Sequence, residues 1–90
     1  MRTINPDVDD LAPTGAALTD YDEGHMVTYL RMIDAHADGA DWREVTRIVL
    51  DIDPDREPER AHRAYESHLK RAVWMVEGGW RLLLRGGVTR

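Results

Sequence analysis

The sequence predicts an all-α protein: a small three-helix domain, an extended-turn variant of the helix-turn-helix, with a disordered N-terminal tail. Three features predict it. Pro58 to Glu77 is the longest uninterrupted helical run, opened by a proline where a first turn tolerates one and stopped by Gly78-Gly79. Two shorter runs, near 20 to 38 and 42 to 50, place apolar residues at spacings of three and four. Between the second and third runs, Pro54 and Pro58 each disfavour helix in the residue before them, so the connection is an ordered, extended turn.

Residues 1–18 combine prolines, a glycine and aspartates with no helical or strand period, and are expected to form a mobile tail ahead of a domain at 19–90. The first helix starts at Thr19 or Asp20, with Asp20 and Glu23 in the form of a capping box, and ends near Gly39. Met26, Leu30, Ile33 and Ala37 are its expected core stripe. Asp41 opens the second helix with a box-like Glu44, and Trp42, Val45, Ile48, Val49 and Ile52 are expected to point inward. On the long helix the expected core stripe is Ala61, Tyr65, Leu69, Ala72 and Val76, with Leu69 central. The run Trp80 to Leu84 is too short to stand alone and is expected to pack back on the helices, over Trp74.

Ninety residues make one domain of modest core. Cysteine is absent, which rules out disulfides and thiolate chemistry and fits a reducing cytoplasm. No apolar run reaches the roughly 18 residues of a spanning helix, and neither a signal peptide nor a membrane anchor is read. Charge is polarised along the chain: residues 1–41 hold two Arg against nine Asp/Glu, and residues 60–90 hold seven Arg/Lys against two Glu.

An enzyme is not expected, because so small a helical domain has little room for a concave, water-poor site. Ser67 and His68 are adjacent on a helix, diverge by about 100 degrees and do not make a nucleophile and base pair. No metal or cofactor is expected either. His25 and His36 stand three turns apart, and His62 and His68 fall on different helix faces.

Two strips could carry binding. His25, Tyr29, Met32 and His36 run beside the first helix's core stripe; they either widen its buried face or bind a partner. Trp74, with Arg63 and Lys70, makes the second strip on the long helix. The partner reading favours the first strip, since nothing nearby in sequence is obliged to cover it. An alternative reading places the long helix in DNA, with Arg60, Arg63, Lys70 and Arg71 as contacts. Against it, Asp51, Asp53, Asp55, Glu57 and Glu59 approach that helix with only Arg56 among them, and uncompensated carboxylates repel phosphates. The basic residues could equally pair along the helix, as Glu59 with Arg63 or Glu66 with Lys70.

Asp22-Glu23 and His25 in helix one, Ala40-Asp41-Trp42-Arg43-Glu44-Val45, Asp51-Ile52-Asp53-Pro54, and Glu77-Gly78-Gly79-Trp80-Arg81-Leu82-Leu83 occur in order from about Thr19 to Arg85. In these the chain resembles the RovC-like DNA-binding domain family. The resemblance implies an extended-turn helix-turn-helix and a role in transcription regulation, in some members that of activating conjugative-element transfer. Within the family the chain looks most like the antiactivators of rhizobial integrative and conjugative elements, linked to quorum sensing and horizontal gene transfer. That branch implies binding to a transcriptional activator, at its N-terminal domain, with DNA binding absent or weak. A cytoplasmic monomer with no membrane contact is the accompanying expectation. The acidic balance and the lack of room for a second domain favour this branch.

Overall fold

Four helices account for the architecture in a computed structural model that describes residues 8–79 and 81: α1, Asp20–Gly24; α2, Met26–Ala37; α3, Trp42–Val45, continued by a widened turn at Thr46–Leu50; and α4, Pro58–Trp74, continued by another at Met75–Gly79. No strand occurs among the described residues. The fold is the expected small all-α domain, with its first helix in two pieces.

α1 opens on a capping box, formed by Thr19 and Asp22 rather than by Asp20 and Glu23. The Asp22 amide donates to Thr19 Oγ1 at 3.1 Å, and the Thr19 amide donates back to the Asp22 carboxylate at 3.0 Å. The helix then breaks at His25, whose amide reaches only three residues back, to Asp22 O, and whose Nδ1 lies 2.8 Å from Tyr21 O.

After the break, α2 turns Thr28, Tyr29 and Met32 inward. Of the stripe expected in its core, Met26 and Ile33 are half-buried, Ala37 is exposed, and Leu30 is 52% exposed. Tyr29 decides the orientation, because its hydroxyl has a buried carboxylate to meet. Gly39, at φ 75, ends the helix: its amide reaches His36 O, and the Ala40 amide reaches Ala35 O, as in a Schellman motif.

Asp41 precedes α3 without a side-chain capping bond, so the expected Asp41 and Glu44 box is not made. Thr46–Leu50 then continues with hydrogen bonds five residues apart, which lowers the rotation per residue. Leu50 is thereby carried inside, whereas Ile48, expected to point inward, is 61% exposed. Asp51, left-handed at φ 59, ends the helix. The connection 51–57 is ordered as expected: Asp53 Oδ1 accepts the Asp55 amide at 2.9 Å, Asp53 O accepts that of Glu57, and Pro54 is buried.

α4 packs against α2, α3 and the Thr46–Leu50 turn, and its buried face runs through Ala61, Ala64, His68, Arg71 and Ala72. Tyr65 and Leu69 are half-buried at the flank of the core, and Val76 is 45% exposed. The correction has a steric cause: alanines let neighbouring backbones come closest, so the line of contact follows them and the larger side chains flank it. Two clusters result. Met32, Val45, Val49, Leu50 and Ile52 pack on Ala61 and Ala64. Tyr29 and Met75 pack on Ala72, with Leu18, Ile33 and Trp74 around them.

Residues 8–18, expected as tail, lie along α4. Ala12 is buried, with its amide on Ser67 Oγ at 3.0 Å, and the Asp9 amide reaches the Tyr21 hydroxyl at 2.9 Å. Residues 1–7 of the expected tail fall outside the described residues. So do Trp80 and Leu82 to Leu84, and with them the expected closure over Trp74.

Candidate functional site

The outward side of α4 is organised by a group on its inward side. Arg71 is 3% exposed and grips Asp22, which is 0% exposed, with two parallel bonds: Nε to Oδ1 at 2.9 Å and Nη2 to Oδ2 at 2.7 Å. Nη1 and Nη2 also hold the carbonyls of Gly15 and Ala17. The Tyr29 hydroxyl donates to Asp22 Oδ1 at 2.7 Å. Burial by itself pushes the Asp22 pKa up, but hydrogen bonds from Arg71, then Tyr29 and the Thr19 backbone, outweigh it and hold the carboxyl at about 2. Burial, then the bond to Asp22, pushes the Tyr29 pKa up.

Arg71 is therefore a structural cation. Expected as a nucleic-acid contact, it is spent inside the fold. Its guanidinium also lies 3.9 Å from the centre of the Trp74 ring, a cation–π contact. Gly79 supports that indole from close by, since a Cβ there would sit 2.5 Å from Trp74 Cζ3.

Arg60 is also committed, with Nε 2.6 Å from Asp10 Oδ1 and Nη1 2.9 Å from Glu57 Oε2. The hydrogen bond it donates to Asp10 raises its pKa. Arg63 and Lys70 are exposed, and no described residue pairs with either. The expected Glu59–Arg63 and Glu66–Lys70 pairs are not formed; Glu66 faces His62 at 3.4 Å. Arg63, Lys70 and Trp74, the second expected strip, do come together. With Leu11, Pro13 and Thr14 of the N-terminal segment they line an open groove of about 440 Å³.

The first expected strip does not form a surface. Tyr29 and Met32 are each 1% exposed, His25 is buried and stacked on Tyr21 with centroids 3.9 Å apart, and only His36 faces outward. The wide-buried-face alternative describes this strip, because the Tyr29 hydroxyl and the His25 ring find partners inside.

Ser67 Oγ and His68 Nδ1 approach to 3.4 Å, closer than adjacency on a helix implies. They still do not make a nucleophile and base. His68 Nδ1 donates to Ala64 O at 2.8 Å, which leaves Nε2 to accept from the Tyr21 hydroxyl at 2.6 Å. Burial pushes the His68 pKa down, so the neutral ring is the stable form. Among the described residues, no group of three His, Asp or Glu is placed to hold a metal ion. No helix among them is long and apolar enough to cross a membrane.

Sequence reading missed the Asp22–Arg71 hub, although Thr19-Asp20-Tyr21-Asp22 carries a T-x-x-D capping signal that marks Asp22. Nothing local to Arg71 points across the fold to it.

No curated protein matches the chain. The family model of the RovC DNA-binding domain, described as T6SS, transcription factor, DNA binding domain, matches residues 2–85. That span takes in all four helices and the turn at 51–57, and the chain belongs to the RovC DNA-binding domain family.

Proposed function

We propose that this domain regulates transcription by binding DNA with the outward face of α4, where Arg63 and Lys70 contact phosphates. The observation that carries this reading is the family match, which covers α3, the turn and α4 together. Of the four contacts first expected, Arg63 and Lys70 are the two whose charge the described fold leaves free. Binding through so few cations is weak at physiological salt. In a gel-shift titration at low salt, the double variant Arg63→Ala, Lys70→Ala loses most of the binding while its helical circular dichroism is unchanged. Wild-type affinity in the double variant would overturn this assignment.

A second reading is favoured by one observation: Asp51, Asp53, Asp55, Glu57 and Glu59 are all exposed where α4 would enter a groove. On this reading the domain is an antiactivator, like QseM of the rhizobial elements it resembles, and occupies the N-terminal domain of a transcriptional activator of conjugative transfer. Co-purification with that activator, together with repression of its promoter in the absence of detectable DNA binding, is the outcome this second reading expects.

A further inference from the structure

The groove beside α4 joins two chemistries that DNA binding does not require together. Its apolar surface comes from Leu11, Pro13 and Trp74, and its cationic rim from Arg63 and Lys70. Glu66, the rim's carboxylate, is turned to His62 at 3.4 Å. Leu11 is 60% exposed at one wall. Trp74 is held on the other by Arg71 and by the closeness of Gly79.

The fold already shows what this side of α4 accepts. The non-helical segment Asp9 to Pro13 lies along it, with the Asp10 carboxylate on Arg60, the Ala12 side chain buried and the Ala12 amide on Ser67. That is one acidic, apolar, non-helical stretch of chain, bent at Asp10 and Leu11, laid on one helix. Arg63 and Lys70 line the same groove, with no described partner.

We propose that the groove binds a non-helical acidic segment of a protein partner, with an apolar side chain seated between Leu11 and Trp74 and carboxylates on Arg63 and Lys70. Charge complementarity selects such a segment, and the apolar surface distinguishes it from a bare polyanion. The inference deepens the protein-binding reading and rests on it for biological context. It adds that DNA and the segment exclude each other, since both need the same two cations.

The test uses the full chain and a fluorescein-labelled peptide of alternating Asp and Leu, followed by fluorescence anisotropy. Two control peptides replace Leu by Ser, or Asp by Asn. The expected result is saturable binding of the Asp/Leu peptide, at least tenfold weaker for either control. The folded variant Arg63→Glu, Lys70→Glu should weaken binding at least tenfold, and Leu11→Ser at least threefold. Equal binding of the Ser control would reduce the site to charge attraction and overturn the proposal. Unchanged binding by the charge-reversed variant, or no binding at millimolar peptide, would do the same. If the protein binds duplex DNA, unlabelled duplex should displace the peptide; DNA that binds without displacing it would overturn the shared-cation claim. A protein that binds the peptide but no DNA keeps this inference and loses the DNA reading, and the converse loses this inference alone.

Discussion

Replacing Asp22 by Asn removes one charge from the centre of the fold and leaves the shape nearly intact. The carboxylate is 0% exposed and accepts from Arg71 Nε and Nη2, the Tyr29 hydroxyl and the Thr19 amide. Without it the Arg71 guanidinium, 3% exposed, is a buried charge facing a neutral amide. Breaking one side of such a pair costs about 3–5 kcal/mol, which in a domain of this size lowers the melting temperature by on the order of 15 °C or more. Acid offers a second readout. The folded-state pKa of Asp22 is held at about 2, below its unfolded value, so the folded state favours the ionised form. The stabilisation is present above the unfolded pKa of about 4 and is lost as pH falls through the folded value; it amounts to about 2–3 kcal/mol. Urea unfolding followed by circular dichroism at neutral pH and across pH 4 to 2 measures both. The double variant with Arg71→Met should lose less than the two single changes summed. An Asp22→Asn protein within about 1 kcal/mol of wild type, with the same acid midpoint, would refute the hub as described.

Three further outcomes follow from particular contacts. Thr28 Oγ1 is buried and is the one described side-chain polar atom of that kind without a hydrogen-bond partner, so Thr28→Val should be neutral or stabilise by about 1 kcal/mol; a clear destabilisation in thermal melts would contradict this. Gly79→Ala drives a methyl into the Trp74 indole and should cost about 1–3 kcal/mol and alter the near-ultraviolet tryptophan signal, whereas a gain in melting temperature from better helix propensity would show that the indole moves freely. Burial lowers the His68 pKa, so its contribution is present above the unfolded value of about 6.5 and is lost as pH falls through the folded one. A nuclear magnetic resonance titration of the ring should give a midpoint below that of free histidine, and a midpoint above it would refute the Tyr21–His68–Ala64 chain.

The three helical regions, the stop at Gly39 and the ordered turn between Asp51 and Pro58 were legible in the sequence, because caps, glycine and proline act on the backbone within a few residues; the break of the first region at His25 was not. Helix faces were less so. On α2, two neighbouring stripes about 100 degrees apart both look apolar enough, and the choice fell to the Tyr29 hydroxyl, whose partner lies on α1. On α4, the stripe drawn by spacing through Tyr65 and Leu69 misplaced the core by nearly one residue's rotation, since Ala61 and Ala64 set the closest approach. The widened turns at Thr46–Leu50 and Met75–Gly79 depart from a 3.6-residue period and moved Ile48 outward. In the candidate site, Arg63, Lys70 and Trp74 could be grouped from spacing along one helix. The commitment of Arg60 and Arg71 could not, because Asp10 and Asp22 reach them from about fifty residues away.

The salt dependence of DNA affinity tests the central claim most directly, since it counts the phosphates that the protein neutralises. Anisotropy titrations of a labelled duplex between about 50 and 200 mM salt give the slope of log K against log salt, which is about −0.9 per phosphate. If Arg63 and Lys70 are the contacts, the slope is about −1.8, and removing either residue lowers it by about 0.9. A slope steeper than about −4, or one that neither substitution changes, would place DNA on another surface and contradict the account.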